Sequence, residues 1–159
     1  MPSRPVRSME MGTLRSPPVL APPEEFDAFV VWLAEVSDRL VLLEEFSLKE
    51  IRSAMRITRE RVLAHLRSSD RSESSPGSTP RTQELDEIVR SDHEWFEMSL
   101  AELAGLVRIV EQEDHGGHRQ ALGQYGRLLA TALTRHRRDE AELERLRLFA
   151  GTRPLRNPN

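Results

Sequence analysis

The stretch that decides the fold begins with Ser91-Asp92-His93-Glu94-Trp95-Phe96 and ends with His136-Arg137-Arg138-Asp139-Glu140. Between these segments lies the turn sequence Asp114-His115-Gly116-Gly117. On both sides of the turn, apolar residues recur at alternating steps of three and four, which is typical of helices with one buried face. The two rows are Val89, Phe96, Leu100, Leu103, Val107 and Val110, then Leu122, Tyr125, Leu129, Ala132, Leu143 and Leu146. The stretch therefore predicts a hairpin of two long helices.

Two histidines interrupt these apolar rows. His93 lies between Val89 and Phe96, and His136 falls inside the second row. The midpoint of the two positions falls in the turn, so in an antiparallel hairpin of equal rise the two rings face each other at one height. Glu140 is one helical turn beyond His136 on nearly the same face. Two imidazoles and a carboxylate in an apolar interior predict either a metal site or a set of buried polar groups that need partners.

The composition limits the class of protein. The chain has 159 residues, of which 38% are hydrophobic and 31% are charged, enough for one globular domain with a real core. It has no cysteine, which excludes disulfides and thiolate ligands. Its net charge is −3, and the sequence shows no basic face that would bind nucleic acid. No apolar run approaches the roughly 20 residues that span a membrane. No secretory h-region is present, so we expect a cytoplasmic protein.

Four helices are predicted, over about 24–45, 48–68, 82–111 and 118–149, with a loop at 69–81. Ser47 and Glu50 match a capping box, which predicts that the second helix begins there. Because no glycine or proline lies between 24 and 75, one continuous kinked helix stays open as an alternative. Gly123 and Gly126 weaken the fourth helix, and they would allow close approach of a neighbouring helix.

The overall prediction is an all-α, antiparallel up-down four-helix bundle with disordered N- and C-terminal arms. Residues 1–22 are rich in proline, and 150–159 follow the last predicted helix. Both arms are candidate binding segments for a protein partner. We expect no nucleic-acid or membrane partner.

The pair Asp92-His93 near the start of one helix, followed in the next helix by His136-x-x-x-Glu140, resembles the second half of a hemerythrin-like, or HHE cation-binding, domain. The resemblance covers roughly 84–148. It implies a four-helix bundle with a di-iron site whose members bind oxygen or sense oxygen and iron. For this chain, it implies iron as a di-iron or single-metal cofactor.

The first half of the chain departs from that family pattern. No histidine occupies the start of the first helix, and Ser69 stands where the family has a glutamate. His65 takes the place of the second-helix histidine. Imidazole and carboxylate ligands suit iron, manganese or zinc alike. The ligand set that the resemblance implies is Glu24 or Glu25, His65, Asp70, His93, His136 and Glu140.

Each candidate ligand also has a purely structural interpretation. His93 and His136 would be hydrogen-bonded core residues, and His65 with Asp70 a solvated pair at a helix end. His115 and His118 are expected as exposed turn residues. The sequence contains no nucleophile elbow and no glycine-rich phosphate loop, so it does not predict an ordinary enzyme. Two functions remain open: a hemerythrin-type metal-binding bundle, and a metal-free degenerate bundle acting as a helical adaptor or subunit through its terminal arms.

Overall fold

The structure, a computed structural model, describes residues 21–69 and 79–151. It contains helices α1 (Phe26–Val41), α2 (Leu48–Ser69), α3 (Pro80–Gln112) and α4 (Gly116–Gly151). Most of the two predicted arms, and the middle of the predicted loop at 69–81, lie outside the described residues. Within the described ranges, no helix has the length and apolar character needed to cross a lipid bilayer.

The four helices surround one core, and each packs against two neighbours. Helix α1 contacts α2 and α4, and α3 contacts the same two helices. In the described part of the chain, α2 and α4 make no backbone approach to each other, so they lie diagonally opposite. The predicted all-α bundle is confirmed. Fully buried core side chains include Phe29, Leu33, Phe96, Leu103, Val62, Leu122, Leu129 and Leu133.

Helices α1 and α2 are separate, which resolves the alternative of one kinked helix. The predicted first helix ran to 45, but α1 ends at Val41. Leu43 adopts a left-handed backbone with φ 57°. The amide of Glu44 donates to the carbonyl of Arg39 at 3.0 Å, and that of Leu43 to Leu40 at 3.1 Å. These bonds form a Schellman motif, a helix stop that usually uses glycine and here uses leucine.

The predicted capping box opens α2. The backbone amide of Ser47 donates to the Glu50 carboxylate at 2.7 Å, and the amide of Glu50 donates to the Ser47 hydroxyl at 3.2 Å. The similar string at Ser99–Glu102 lies inside α3, where Ser99 is buried. A capping-box string therefore begins a helix at Ser47 but not at Ser99, where the apolar row continues on both sides.

Helices α3 and α4 both begin two residues before the predicted positions. At α3 the Thr79 hydroxyl accepts from the amide of Thr82 at 3.3 Å, and Pro80 occupies the first turn, where its missing amide costs nothing. At α4 the Nδ1 atom of His115 accepts from the amide of Gly117 at 3.1 Å. An imidazole cap is outside the usual Ser, Thr, Asp and Asn set, which explains why the start of α4 was placed late.

Two glycines let α4 approach α1 closely. A Cβ atom on Gly123 would lie 2.7 Å from the carbonyl oxygen of Ser37, and one on Gly126 would lie 2.2 Å from the Ser37 hydroxyl oxygen. At Gly123 the blocking atom belongs to the backbone, so the interface requires glycine there, whereas at Gly126 the Ser37 hydroxyl would have to turn away. By contrast, a Cβ on Gly105 would meet nothing within 4 Å.

We expect Gly123→Ala to lower the free energy of unfolding by about 1 to 3 kcal/mol, because overpacking against the α1 backbone outweighs the gain in helix propensity. The matched control is Gly105→Ala, which sits in open space on α3 and should be neutral or stabilising by up to about 1 kcal/mol. Urea unfolding followed by circular dichroism measures both. Equal effects of the two substitutions would contradict the close α1–α4 packing.

Candidate metal centre

His65, His136 and Glu140 come together inside the bundle. His136 and Glu140 lie one turn apart on α4, and His65 lies near the end of α2, on the diagonally opposite helix. One potential ligand atom from each residue lies within 4.8 Å of the other two. His136 is completely buried, and the side chains of His65 and Glu140 are each 11% exposed. The three side chains thus form an enclosed set of two imidazoles and one carboxylate.

The contacts between these groups have an unusual geometry. The Nε2 atom of His65 lies 3.1 Å from Oε2 of Glu140, and Nε2 of His136 lies 3.3 Å from Oε1. Both nitrogens are buried, yet neither has a hydrogen-bond partner, so the close oxygen atoms are not aligned as acceptors. A shared proton would favour a nearly linear N–H···O arrangement. Atoms that converge without such alignment are better suited to a cation placed between them.

Asp92 on α3 fixes the protonation of the His136 ring. The Nδ1 atom of His136 lies 3.3 Å from Oδ2 of Asp92, and the other oxygen of Asp92 accepts from Arg135 at 3.1 Å. A carboxylate acceptor at Nδ1 favours the tautomer that carries its proton there. In the neutral ring, Nε2 then presents a lone pair toward Glu140. Carboxylate–histidine pairs of this kind orient histidine ligands in metal sites.

The Glu140 carboxylate is ionised although it is largely buried. Burial by itself would raise its pKa, but hydrogen bonds donated to the carboxylate outweigh that effect and hold the pKa well below its usual range. The rings of His136 and His65 contribute to this lowering only when their Nε2 atoms carry protons, whereas Ser69 and Arg137 donate in either state. The Ser69 hydroxyl donates to Oε1, and Arg137 donates to Oε2 at 2.8 Å. Ser69, the departure from the family pattern, thus supports Glu140. The site therefore offers a charged oxygen ligand at neutral pH.

His93 lies beside this group, as the hairpin predicted. Its ring centroid is 5.0 Å from that of His136, with 61° between the ring planes, and both residues are buried. The prediction that the two rings meet at one height in the interior is confirmed. His93 is not among the three residues whose ligand atoms lie within 4.8 Å of one another. It lines the cavity that adjoins them.

The remaining predicted ligands are not placed at the centre. Asp70 lies outside the described residues. Glu25 is the exposed residue that precedes α1, without a side-chain cap hydrogen bond, and it does not belong to the three-residue group. Glu24 is exposed, and its backbone carbonyl accepts from Arg61 at 2.7 Å. The residue of α1 that reaches the site is Phe26, whose ring stacks on His65 at 4.0 Å between centroids.

Sequence reasoning missed the residues that surround the three ligands. Arg137, the residue after His136, bridges Glu140 and Asp27 at 2.8 Å each. Asp92 was noted only as part of a motif, although it is buried. A carboxylate directly beside a histidine of the apolar row was a usable signal for Asp92. No comparable signal existed for Phe26, because an aromatic residue on an apolar row is expected to be core.

A second His/Glu group occurs at the α3–α4 turn. Ligand atoms of Glu113, His115 and His118 also lie within 4.8 Å of one another, but Glu113 and His115 are exposed. The Nδ1 atom of His115 accepts from backbone amides, so the neutral ring carries its proton on Nε2 and has no free lone pair there. His118 Nδ1 contacts the carbonyl of Glu113 at 2.7 Å. These rings cap a helix, so the buried group is the stronger candidate for a metal.

Comparisons with models of protein families, with curated proteins and with solved structures found no match to this chain. The fold and the candidate site therefore rest on the residues and distances given above. What those establish is a four-helix bundle whose interior holds a buried His/His/Glu group that could bind a metal ion.

Proposed function

We propose that this chain is a hemerythrin-like metal-binding bundle that holds one first-row divalent ion through His65, His136 and Glu140. One observation carries the proposal: two buried Nε2 atoms and a carboxylate converge at 3.1 and 3.3 Å without forming hydrogen bonds. Without a cation, the His136 lone pair would face an ionised oxygen in a largely buried site. A metal ion would satisfy all three groups at once.

Iron is the ion that the resemblance indicates, and the ligands suit it. Two imidazoles and one carboxylate are the donor set of non-haem ferrous sites with open coordination positions. Asp92 would keep Nε2 of His136 unprotonated, and Ser69 and Arg137 would hold Glu140 in place. Bound there, ferrous iron would supply the ability to bind dioxygen. The function proposed is accordingly oxygen or iron binding or sensing.

The surroundings of His65 support one ion and not two. On the α1 side, the Phe26 ring covers His65 with only 16° between the ring planes. The nearby acid of α1, Asp27, pairs with Arg137 at 2.8 Å. Helix α1 therefore places an aromatic ring, and a carboxylate already paired with an arginine, where a second metal would need donor atoms.

A metal-free adaptor is the second candidate, and one observation favours it. Leu148 and Phe149 are each 67% exposed at the end of α4, immediately before the predicted C-terminal arm. Two neighbouring exposed large apolar side chains are a plausible contact surface for a protein partner. In that case, Glu140 and its partners would serve as a structural ion-pair network. Metal content separates the two candidates.

We expect freshly purified protein to contain about one first-row metal ion per chain, since its three donor groups define a single site. His136→Ala should abolish that metal, because it removes the fully buried ligand. Elemental analysis and a visible absorption spectrum in air measure the outcome.

The control is His118→Ala, which removes a histidine of the exposed turn group and should leave the metal content unchanged. Metal lost only in the His118 variant would assign the ion to the turn. A stable, colourless wild-type protein without metal would favour the adaptor.

We also expect Asp92→Asn to weaken metal binding by about 10- to 100-fold, the usual effect of removing a carboxylate behind a histidine ligand. The substitution keeps the volume of the side chain but removes its charge, so His136 is held less firmly. Competition with a coloured chelator gives the affinity. Asp38→Asn, at a surface ion pair with Arg127, is the matched control. An unchanged affinity in the Asp92 variant would argue against the orienting role.

A further inference from the structure

A polar cavity of about 490 Å³ adjoins the His/His/Glu group. Its wall includes His65 and Glu140 at one end and His93 beside them. His136, completely buried, lies behind that wall. The volume is within the range of small-molecule sites in proteins. The cavity therefore gives a small ligand access to the side of the site where an ion would have open positions.

Among the described residues, the charges that line the cavity balance without a metal. Three arginines and three carboxylates from this part of the chain face it: Arg90, Arg137, Arg147, Asp86, Glu140 and Glu144. A divalent ion would add two positive charges to this balance. Asp27, which pairs with Arg137, is 66% exposed and screened by solvent, so it offsets little of that charge. A ligand with two negative charges would restore neutrality.

The arginines of the cavity differ in their availability. Arg147 pairs with Asp86, and Arg137 pairs with Glu140 and Asp27. Among the described residues, none forms a hydrogen bond or ion pair with the guanidinium of Arg90. A guanidinium binds a carboxylate through two parallel hydrogen bonds. Arg90 is thus the cation of this cavity that can receive an anionic group.

Arg90 lies near the height of the proposed metal in the bundle. Counted about the α3–α4 turn, Arg90 is level with Asp139, next to Glu140, and Arg147 lies about eight residues, a rise of about 12 Å, further along. Arg90 and the metal would therefore be two neighbouring cationic positions, and each could take one acidic group of the same small ligand.

We propose that the cavity binds a small dicarboxylate, with one carboxylate at the open side of the metal and the other on Arg90. This inference rests on the proposed function, because the metal supplies one of the two anchors. It names a ligand class for the site and Arg90 as the residue that selects it.

The test is isothermal titration of succinate into the full chain loaded with zinc, which binds similar ligands without redox chemistry. Acetate serves as the one-carboxylate probe. We expect Arg90→Gln to weaken succinate binding by about tenfold or more, the value of a charge-assisted hydrogen bond, while acetate binding stays the same. Arg145→Gln, an exposed arginine of α4 outside the cavity wall, is the matched control and should bind succinate like wild type.

Zinc content is measured on every variant, so that loss of ligand is distinguished from loss of metal. Wild-type protein that takes up zinc but binds succinate no better than acetate would overturn the inference and leave the metal site intact. Equal succinate affinity in the Arg90 variant and the wild type would do the same. A chain that takes up no zinc would overturn the proposed function together with this inference.

Discussion

The structure depends on one carboxylate that joins two helices whose backbones do not meet. Glu140 on α4 reaches across the bundle to His65 and Ser69 on α2, although these helices are diagonal neighbours in the described residues. Burying such a charge costs several kcal/mol unless its partners compensate. Glu140 has an arginine, a hydroxyl and two imidazoles around it, and its pKa is lowered in consequence. The centre of the bundle is therefore organised by charge as well as by apolar packing.

A purely structural ion-pair network would explain some of these contacts but not all of them. Arg137 and Ser69 form good hydrogen bonds to Glu140, as a structural network requires. The two Nε2 atoms do not, although they lie 3.1 and 3.3 Å from the carboxylate oxygens. Protonating both rings would place two further charges in the interior, at additional desolvation cost. The proposed single ion between the three groups would remove that difficulty.

Local patterns predicted the fold well, because helix signals are local. The apolar rows, the capping box at Ser47 and the two close-packing glycines all act within a few turns of the chain. The stop of α1 was missed because Leu43 adopts a backbone conformation usually taken by glycine. The contact of His93 with His136 followed from counting residues about a turn. The contact of His65 with Glu140 could not be predicted in this way. It depends on how α2 is placed relative to α4, and residue spacing within one helix does not determine that placement.

The same reasoning explains why the residues that contact the site from the first half of the chain were not predicted. A search for ligands considers acids and histidines, so Glu24 and Glu25 were the candidates before α1. In the folded chain, Asp27 meets Arg137, and an aromatic ring from the same turn lies flat on His65. A flat stacked ring restricts the imidazole to one orientation and keeps water from that side. Where the resemblance implied a ligand from the start of α1, Phe26 thus supplies a ring that restricts His65. The proposed centre therefore has one set of donors, His65, His136 and Glu140.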